Sequence, residues 1–174
     1  MKRIELLVND PVYNDYMQRI VAEELEPKYC QHNFNHHIDV ARIAYILVLE
    51  HGDMNYFVRE HELNGRLPAK EVIYAAGLLH DIGKWKEYRS GTDHASFGAG
   101  LAREILPQAF FDDNEIEIIS RAIYEHRNIS TVMSFLGERL HRADNLSRVC
   151  SQCEYGMHCP KRIHKESHVN CFEY

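Results

Sequence analysis

Val72-Ile73-Tyr74-Ala75-Ala76-Gly77-Leu78-Leu79-His80-Asp81-Ile82-Gly83-Lys84 decides how this chain is read. Pro68, just upstream, opens a helix as a first-turn residue, and the apolar run carries that helix to His80. His80 shares a helical face with Ala76 and Ile73, so its imidazole points where the apolar side chains point. An imidazole and a carboxylate at the buried end of such a segment are costly unless something compensates them. A metal ion does so economically. Neutral His and ionised Asp both ligate borderline divalent cations, and one carboxylate can bridge two ions through its two oxygens.

Helical periodicity extends outward from this segment in both directions. Asp10-Pro11 is a helix start, with Val12, Tyr16, Ile20 and Leu25 as the apolar side and Pro27 as the stop. A second helix is predicted from Asn35 to Glu50, with Val40, Ile43, Ala44 and Leu47 on one stripe, ended by Gly52. A shorter one covers Tyr56 to Leu63, before an Asn64-Gly65 turn. Beyond His80, Gly83 and Ser90-Gly91-Thr92-Asp93 read as loop. Helices follow from Ala95 to Leu106, from an Asp112-Asp113 cap to His126, and from Thr131 to Arg148. No strand alternation persists, so the class is all-α, a helical bundle. Residues 1–149 form the domain, an N-terminal helix plus a metal-binding core, and 150–174 form a Cys-rich tail.

The 174 residues suffice for one domain with a core, and 45% apolar with 26% charged residues is an ordinary globular mix. A net charge of -6 argues against extended nucleic acid or an anionic membrane surface as partner. It leaves room for a small anionic substrate, because a local metal or lysine can outweigh the global field. The apolar stretches are short for a membrane span, and the charged start Met1-Lys2-Arg3-Ile4-Glu5 does not suit a signal peptide. The expected compartment is the cytoplasm, where cysteines are thiols or metal ligands rather than disulfides.

Polar residues recur at the inner edges of several predicted helices, and all are His or Asp. His36 lies on the Val40, Ile43, Leu47 stripe, and His37 lies one step around with Ala41, Ala44 and Val48; periodicity does not separate the two. His94 precedes Gly98, Leu101 and Ile105, His126 follows Ile119, Ala122 and Ile123, and Asp144 follows Leu136 and Leu140. One such residue is usually a satisfied core group. The set together is what a metal centre inside a helical bundle requires. His32, His51, His61 and His141 show no comparable pattern and read as surface, although His32 stands one turn before His36 and could support it.

The order His36, His80-Asp81, His94, His126, Asp144 resembles the HD superfamily of metal-dependent phosphohydrolases, from about Asn33 to Arg148. The chain is similar, Cys-rich end included, to a group of uncharacterised bacterial HD-domain proteins. In the superfamily the first His is followed four residues later by Val and a small helical stretch; Val40-Ala41-Arg42-Ile43-Ala44 matches, which favours His36 over His37. The resemblance implies one metal on His36, His80, Asp81 and Asp144, and a second on His94 and His126 with Asp81 bridging. The N/O donor set suits Fe, Mn or Zn. It further implies hydrolysis of a phosphate ester or phosphoanhydride, in a nucleotide, with dinucleoside polyphosphates as a candidate class. Asp81 and Lys84 are the expected catalytic residues, and Lys84 and Arg127 the expected phosphate contacts. Two alternatives stand: a di-iron oxygenase of the same fold, and a non-catalytic nucleotide-binding module.

Cys150-x2-Cys153, then Cys159 and either Cys171 or a nearby His, begins like a tetrahedral zinc site that would let a polar tail fold without a core; an iron-sulfur cluster and free or disulfide-forming thiols are the alternatives. Cys30 reads as a thiol of the core or just behind the metal ligands.

Overall fold

The computed structural model describes residues 1–25 and 30–148. The expected tail site, Cys150, Cys153, Cys159 and Cys171, lies outside the described residues, as does the boundary drawn before it. The described residues are helical and include no strand, and none of their helices is long and apolar enough to cross a membrane.

The chain forms α1 (Lys2–Asn9), α2 (Pro11–Glu23), α3 (Phe34–Glu50), α4 (Met54–Glu60), α5 (Arg66–Leu79), α6 (Lys84–Ser90), α7 (His94–Ile105), a 3-10 turn at Leu106–Ala109, α8 (Asp113–Glu125) and α9 (Phe135–Leu146). The starts follow from local capping chemistry. The Asp10 carboxylate accepts from the Val12 and Tyr13 N–H groups with Pro11 at the first position. Asn33 caps α3 through the His36 N–H, and Asp93 caps α7 through Ser96. Asp112 and Glu115 form a reciprocal capping box at α8. Gly65 opens α5 with φ 111°, a conformation that excludes most other residues.

The central helix is α5. It packs on α3 along most of its length and also meets α1, α4, α8 and α9, while α8 lies against α7 and α9. The apolar residues of the opening segment explain this: Val72, Ile73, Ala75, Ala76, Leu78 and Leu79 are all fully buried. Two glycines set how closely the neighbours approach. A Cβ on Gly77 would lie 2.4 Å from the Ala41 Cα of α3, and one on Gly83 would lie 2.5 Å from the His94 carbonyl oxygen of α7. α3, which carries His36, and α7, which carries His94, are therefore drawn onto the two ends of the His80-Asp81 segment by the absence of a side chain.

Three expectations are corrected. The buried face of α2 is Tyr13, Met17 and Ile20, whereas Val12 and Leu25 are exposed; the periodic stripe was placed one residue off at its start. The stretch after Gly83 is not all loop. It forms α6, because Trp85 is buried, stacking on Tyr16 at 5.9 Å and meeting Phe97 edge-on; tertiary packing stabilises a helix too short to stand alone. The last helix starts at Phe135 rather than near Thr131, where Ser134 accepts from the Gly137 N–H. The N-terminus adds α1, held by Arg3, whose guanidinium reaches Glu71 at 2.7 Å and also Glu115, and lies 4.2 Å over the Phe111 ring.

The close α3–α5 approach makes a test. Gly77→Ala should destabilise the fold by about 1–3 kcal/mol, because the added methyl meets backbone rather than a movable side chain. Denaturant unfolding of the variant measures it.

Candidate metal centre

The carboxylate of Asp81, just past the end of α5, is 3% exposed and forms the middle of the site. Its two oxygens face different partners. Oδ2 lies 3.3 Å from His80 Nε2 and 3.8 Å from His36 Nε2. Oδ1 lies 2.9 Å from His94 Nε2 and 3.7 Å from His126 Nε2. Asp144, from α9, places Oδ1 3.3 Å from His36 Nε2 and 3.8 Å from His80 Nε2. Two groups of donor atoms result, each within 4.8 Å of one another: His36, His80, Asp81 and Asp144, and then Asp81, His94 and His126. Asp81 belongs to both.

The donor set fits divalent metal, and the far side of each ring shows why. His80 Nδ1 lies 2.7 Å from the Gly77 carbonyl, and His126 Nδ1 2.5 Å from the Ile123 carbonyl, each one turn back on its own helix. His94 Nδ1 lies 2.7 Å from Glu87 Oε2. A carbonyl or carboxylate oxygen only accepts, so each Nδ1 carries hydrogen and Nε2 is directed at the centre. This is the usual way a protein orients metal-ligating imidazoles. Two donors bonded at ~2.1 Å to one tetrahedral or octahedral ion sit ~3.0–3.4 Å apart, and the 3.2 Å between the Nε2 atoms of His36 and His80 falls in that interval.

The electrostatics point the same way. Burial raises the pKa of Asp81, but His80, His32 and the hydrogen-bonding His126 and His36 outweigh it and hold the carboxyl well below its usual range. Asp144 is likewise held low, against burial, by His36, His80 and Arg148. Burial lowers His80, yet the Asp81 and Asp144 carboxylates push it up to about 10. His126 goes the other way, lowered chiefly by burial. The carboxylates thus pull positive charge into the centre.

His36, His80, Asp81, His94, His126 and Asp144 all lie in this cluster. His36 and His37 are resolved: His37 turns from the centre and gives its Nδ1 hydrogen to the Leu78 carbonyl at 2.8 Å. Lys84 is buried, 2.7 Å from Glu87 Oε2 and 3.4 Å from His94 Nδ1, on the Asp81, His94, His126 side. Arg127 is exposed on the same side, 3.5 Å from Glu87 Oε1. His51 is exposed as expected and His61 partly so. His141 is partly buried and donates to the His126 carbonyl at 2.8 Å. Cys30 is of intermediate burial.

His32 is the clear departure from expectation. It is buried, not on the surface, and its ring reaches Asp81. It lies before the start of α3, where helical periodicity carries no information. Sequence reasoning also passed over Glu87, hidden in the unanticipated α6 at i+3 from Lys84. It passed over Arg148 as well, whose Nη2 donates to Asp144 Oδ1 at 2.9 Å and lies 3.3 Å from His36 Nε2. Its i+4 spacing from Asp144 was the available signal.

A family model described as the HD domain matches residues 33–149. That match begins at the Asn33 cap and includes His36, His80, Asp81, His94, His126 and Asp144. An uncharacterized protein of Clostridium beijerinckii is 36% identical over 155 residues, covering 88% of each chain. A bifunctional uridylyltransferase/uridylyl-removing enzyme of a Bradyrhizobium species is 31% identical over 109 residues, which is 59% of this chain but 11% of that much longer protein. Among solved structures, a predicted HD superfamily hydrolase from an uncultured Thermotogales bacterium matches with TM-score 0.50 and 26% identity, over 84% of this chain and 74% of that one.

The shared carboxylate sets the expected metal stoichiometry. The purified chain should bind two divalent ions at this centre; Asp81→Ala should retain neither, and His94→Ala should retain one. Elemental analysis combined with native mass spectrometry, with each variant's fold checked by circular dichroism, reads the outcome.

Proposed function

The chain belongs to the HD domain family, and from that premise we propose that it is a metal-dependent phosphohydrolase acting on a nucleotide or related phosphoester or phosphoanhydride. The observation that carries this reading is the division of Asp81, with Oδ1 toward His94 and His126 and Oδ2 toward His36 and His80. Bound divalent ions supply Lewis acidity toward phosphate oxygens and acidify water.

The chain's own residues do the rest. Glu87 anchors this edge: it accepts from His94 and Lys84, fixing the imidazole and holding the ammonium beside it. Lys84 then offers a point charge to a phosphate oxygen on the Asp81, His94, His126 side, and Arg127 can add a planar, bidentate contact from the exposed rim. Lys84 is buried, so its charge acts at a lower local dielectric than one in open solvent. The relatives named as uridylyl-removing enzymes support a nucleotidyl substrate, and the structural neighbour named as a hydrolase supports the reaction type. Dinucleoside polyphosphates are the first candidates within that class.

The test is product release from a panel of dinucleoside polyphosphates, nucleoside phosphates and nucleotidyl phosphodiesters, with Mn, Fe or Zn supplied separately. Turnover on at least one is expected, abolished by Asp81→Ala. Lys84→Met should lower kcat/KM by roughly 100-fold while keeping the metal content. No phosphorus product across the panel would sink the hydrolase reading, and oxygen consumption with an iron-loaded sample would move the site to oxidation chemistry.

A further inference from the structure

His32 has no part in the ligand set the family resemblance implies, yet it is built into the centre. The residue is 3% exposed. Glu24, at the end of α2, holds it twice: Glu24 Oε2 accepts the His32 backbone N–H at 2.7 Å, and Oε1 pairs with Nδ1. Tyr88 of α6 donates its hydroxyl hydrogen to the same Oε1 at 2.7 Å. The ring is thus fixed by carboxylate and phenol on one side. On the other side, Nε2 is buried with no hydrogen-bond partner. It stands 3.5 Å from Asp81 Oδ2, the oxygen that also faces His36 and His80.

With Nδ1–H given to a carboxylate, a neutral His32 ring presents its Nε2 lone pair to a carboxylate oxygen. Two acceptors facing each other at this distance repel unless a cation lies between them. The separation is close to the ~3.0–3.4 Å of two donors on one ion. The support behind Nδ1 repeats the Glu87 arrangement behind His94. We propose that His32 is an additional metal ligand on the His36, His80, Asp81, Asp144 side, oriented by the positioning residues Glu24 and Tyr88. This rests on the reading of the cluster as a metal centre. It makes the centre unequal. One side would then count five donors, the close-set His36, His80, Asp81 and Asp144 with His32 outside that set but 3.5 Å from Asp81, and the other Asp81, His94 and His126, with Lys84 and Arg127 beside it. The first side would hold its ion with more protein donors than the second.

Calorimetric titration with Mn2+ alone, without substrate, tests this. The wild type should show two classes of site. His32→Gln should weaken the tighter class by ~100-fold or more and leave the weaker class unchanged, and Glu24→Gln should weaken the tighter class by ~10–100-fold. Glu24→Gln keeps an acceptor for Nδ1, so it serves as the second variant should His32→Gln fail to fold, which circular dichroism of the metal-free samples reports. Co2+-loaded His32→Gln should also show an altered visible spectrum, as a lost ligand changes the ion's geometry. An unchanged or tightened Mn2+ affinity in both variants overturns the inference, because it would make His32 a charge partner of Asp81 rather than a ligand. Should the wild type bind two ions and Asp81→Ala none while both variants match the wild type, the inference alone falls. Should the wild type bind none, the metal-centre reading falls with it.

Discussion

A carboxylate at the end of an apolar helix, almost sealed from water, must be neutralised by something the fold brings to it. That requirement at Asp81 organises the rest of the structure. An isolated buried charge costs several kcal/mol even after relaxation, so the surrounding helices cannot be placed independently. The partners arrive from separate elements: His36 from the first turn of α3, His94 from the start of α7, His126 just past the end of α8 and His32 from the segment before α3, while Asp144 of α9 shares His36 and His80 with Asp81. Most of these positions are helix ends. Such ends are where a chain can present a ring or a carboxylate inward without exposing a whole polar face to the core.

The convergence depends on backbone proximity, and the two glycines that flank His80-Asp81 provide it. Gly77 lets α3 come close enough for the rings of His36 and His80 to meet at 5.1 Å between centroids. Gly83 lets the start of α7 close over the turn so that His94 reaches Asp81. A Cβ at either position would push one half of the donor set away. The small residues in this segment are therefore as necessary to the site as its ligands, although they touch no substrate.

Much of this was legible in the sequence because its chemistry coincides with its periodicity. His80, His94, His126 and Asp144 each end or begin an apolar stripe, and the caps at Asp10 and Asp112 mark helix starts directly. What escaped lies where periodicity is silent or ambiguous. Periodicity alone leaves His36 and His37 equal; the family resemblance favours His36, and the rings agree, one turned toward His80 and the other toward the Leu78 carbonyl. His32 precedes its helix, so no stripe includes it. The α6 helix is one short turn-rich segment whose burial depends on Trp85 meeting Tyr16 and Phe97 from distant positions. Glu87 was lost with it. Arg3, joining Glu71 and Glu115, is a contact between parts of the chain too far apart for any local pattern to reveal.

The net charge of -6 would seem to disfavour an anionic substrate. The structure shows why the total is a poor guide. Charges separated by more than the ~8 Å screening length at physiological salt act weakly through solvent, so a substrate at the centre responds to its immediate lining. There the carboxylates of Asp81 and Asp144 are already committed to imidazoles and to Arg148, and Glu87 is committed to His94 and Lys84. Each acid is matched within one hydrogen-bond length, and divalent metal would add further positive charge. Arg127, exposed and 3.5 Å from Glu87 Oε1, adds a further cation at this edge. Acids and bases are therefore closely matched around the centre, and under the proposed reading bound metal would tip that balance toward positive, which an anionic substrate requires.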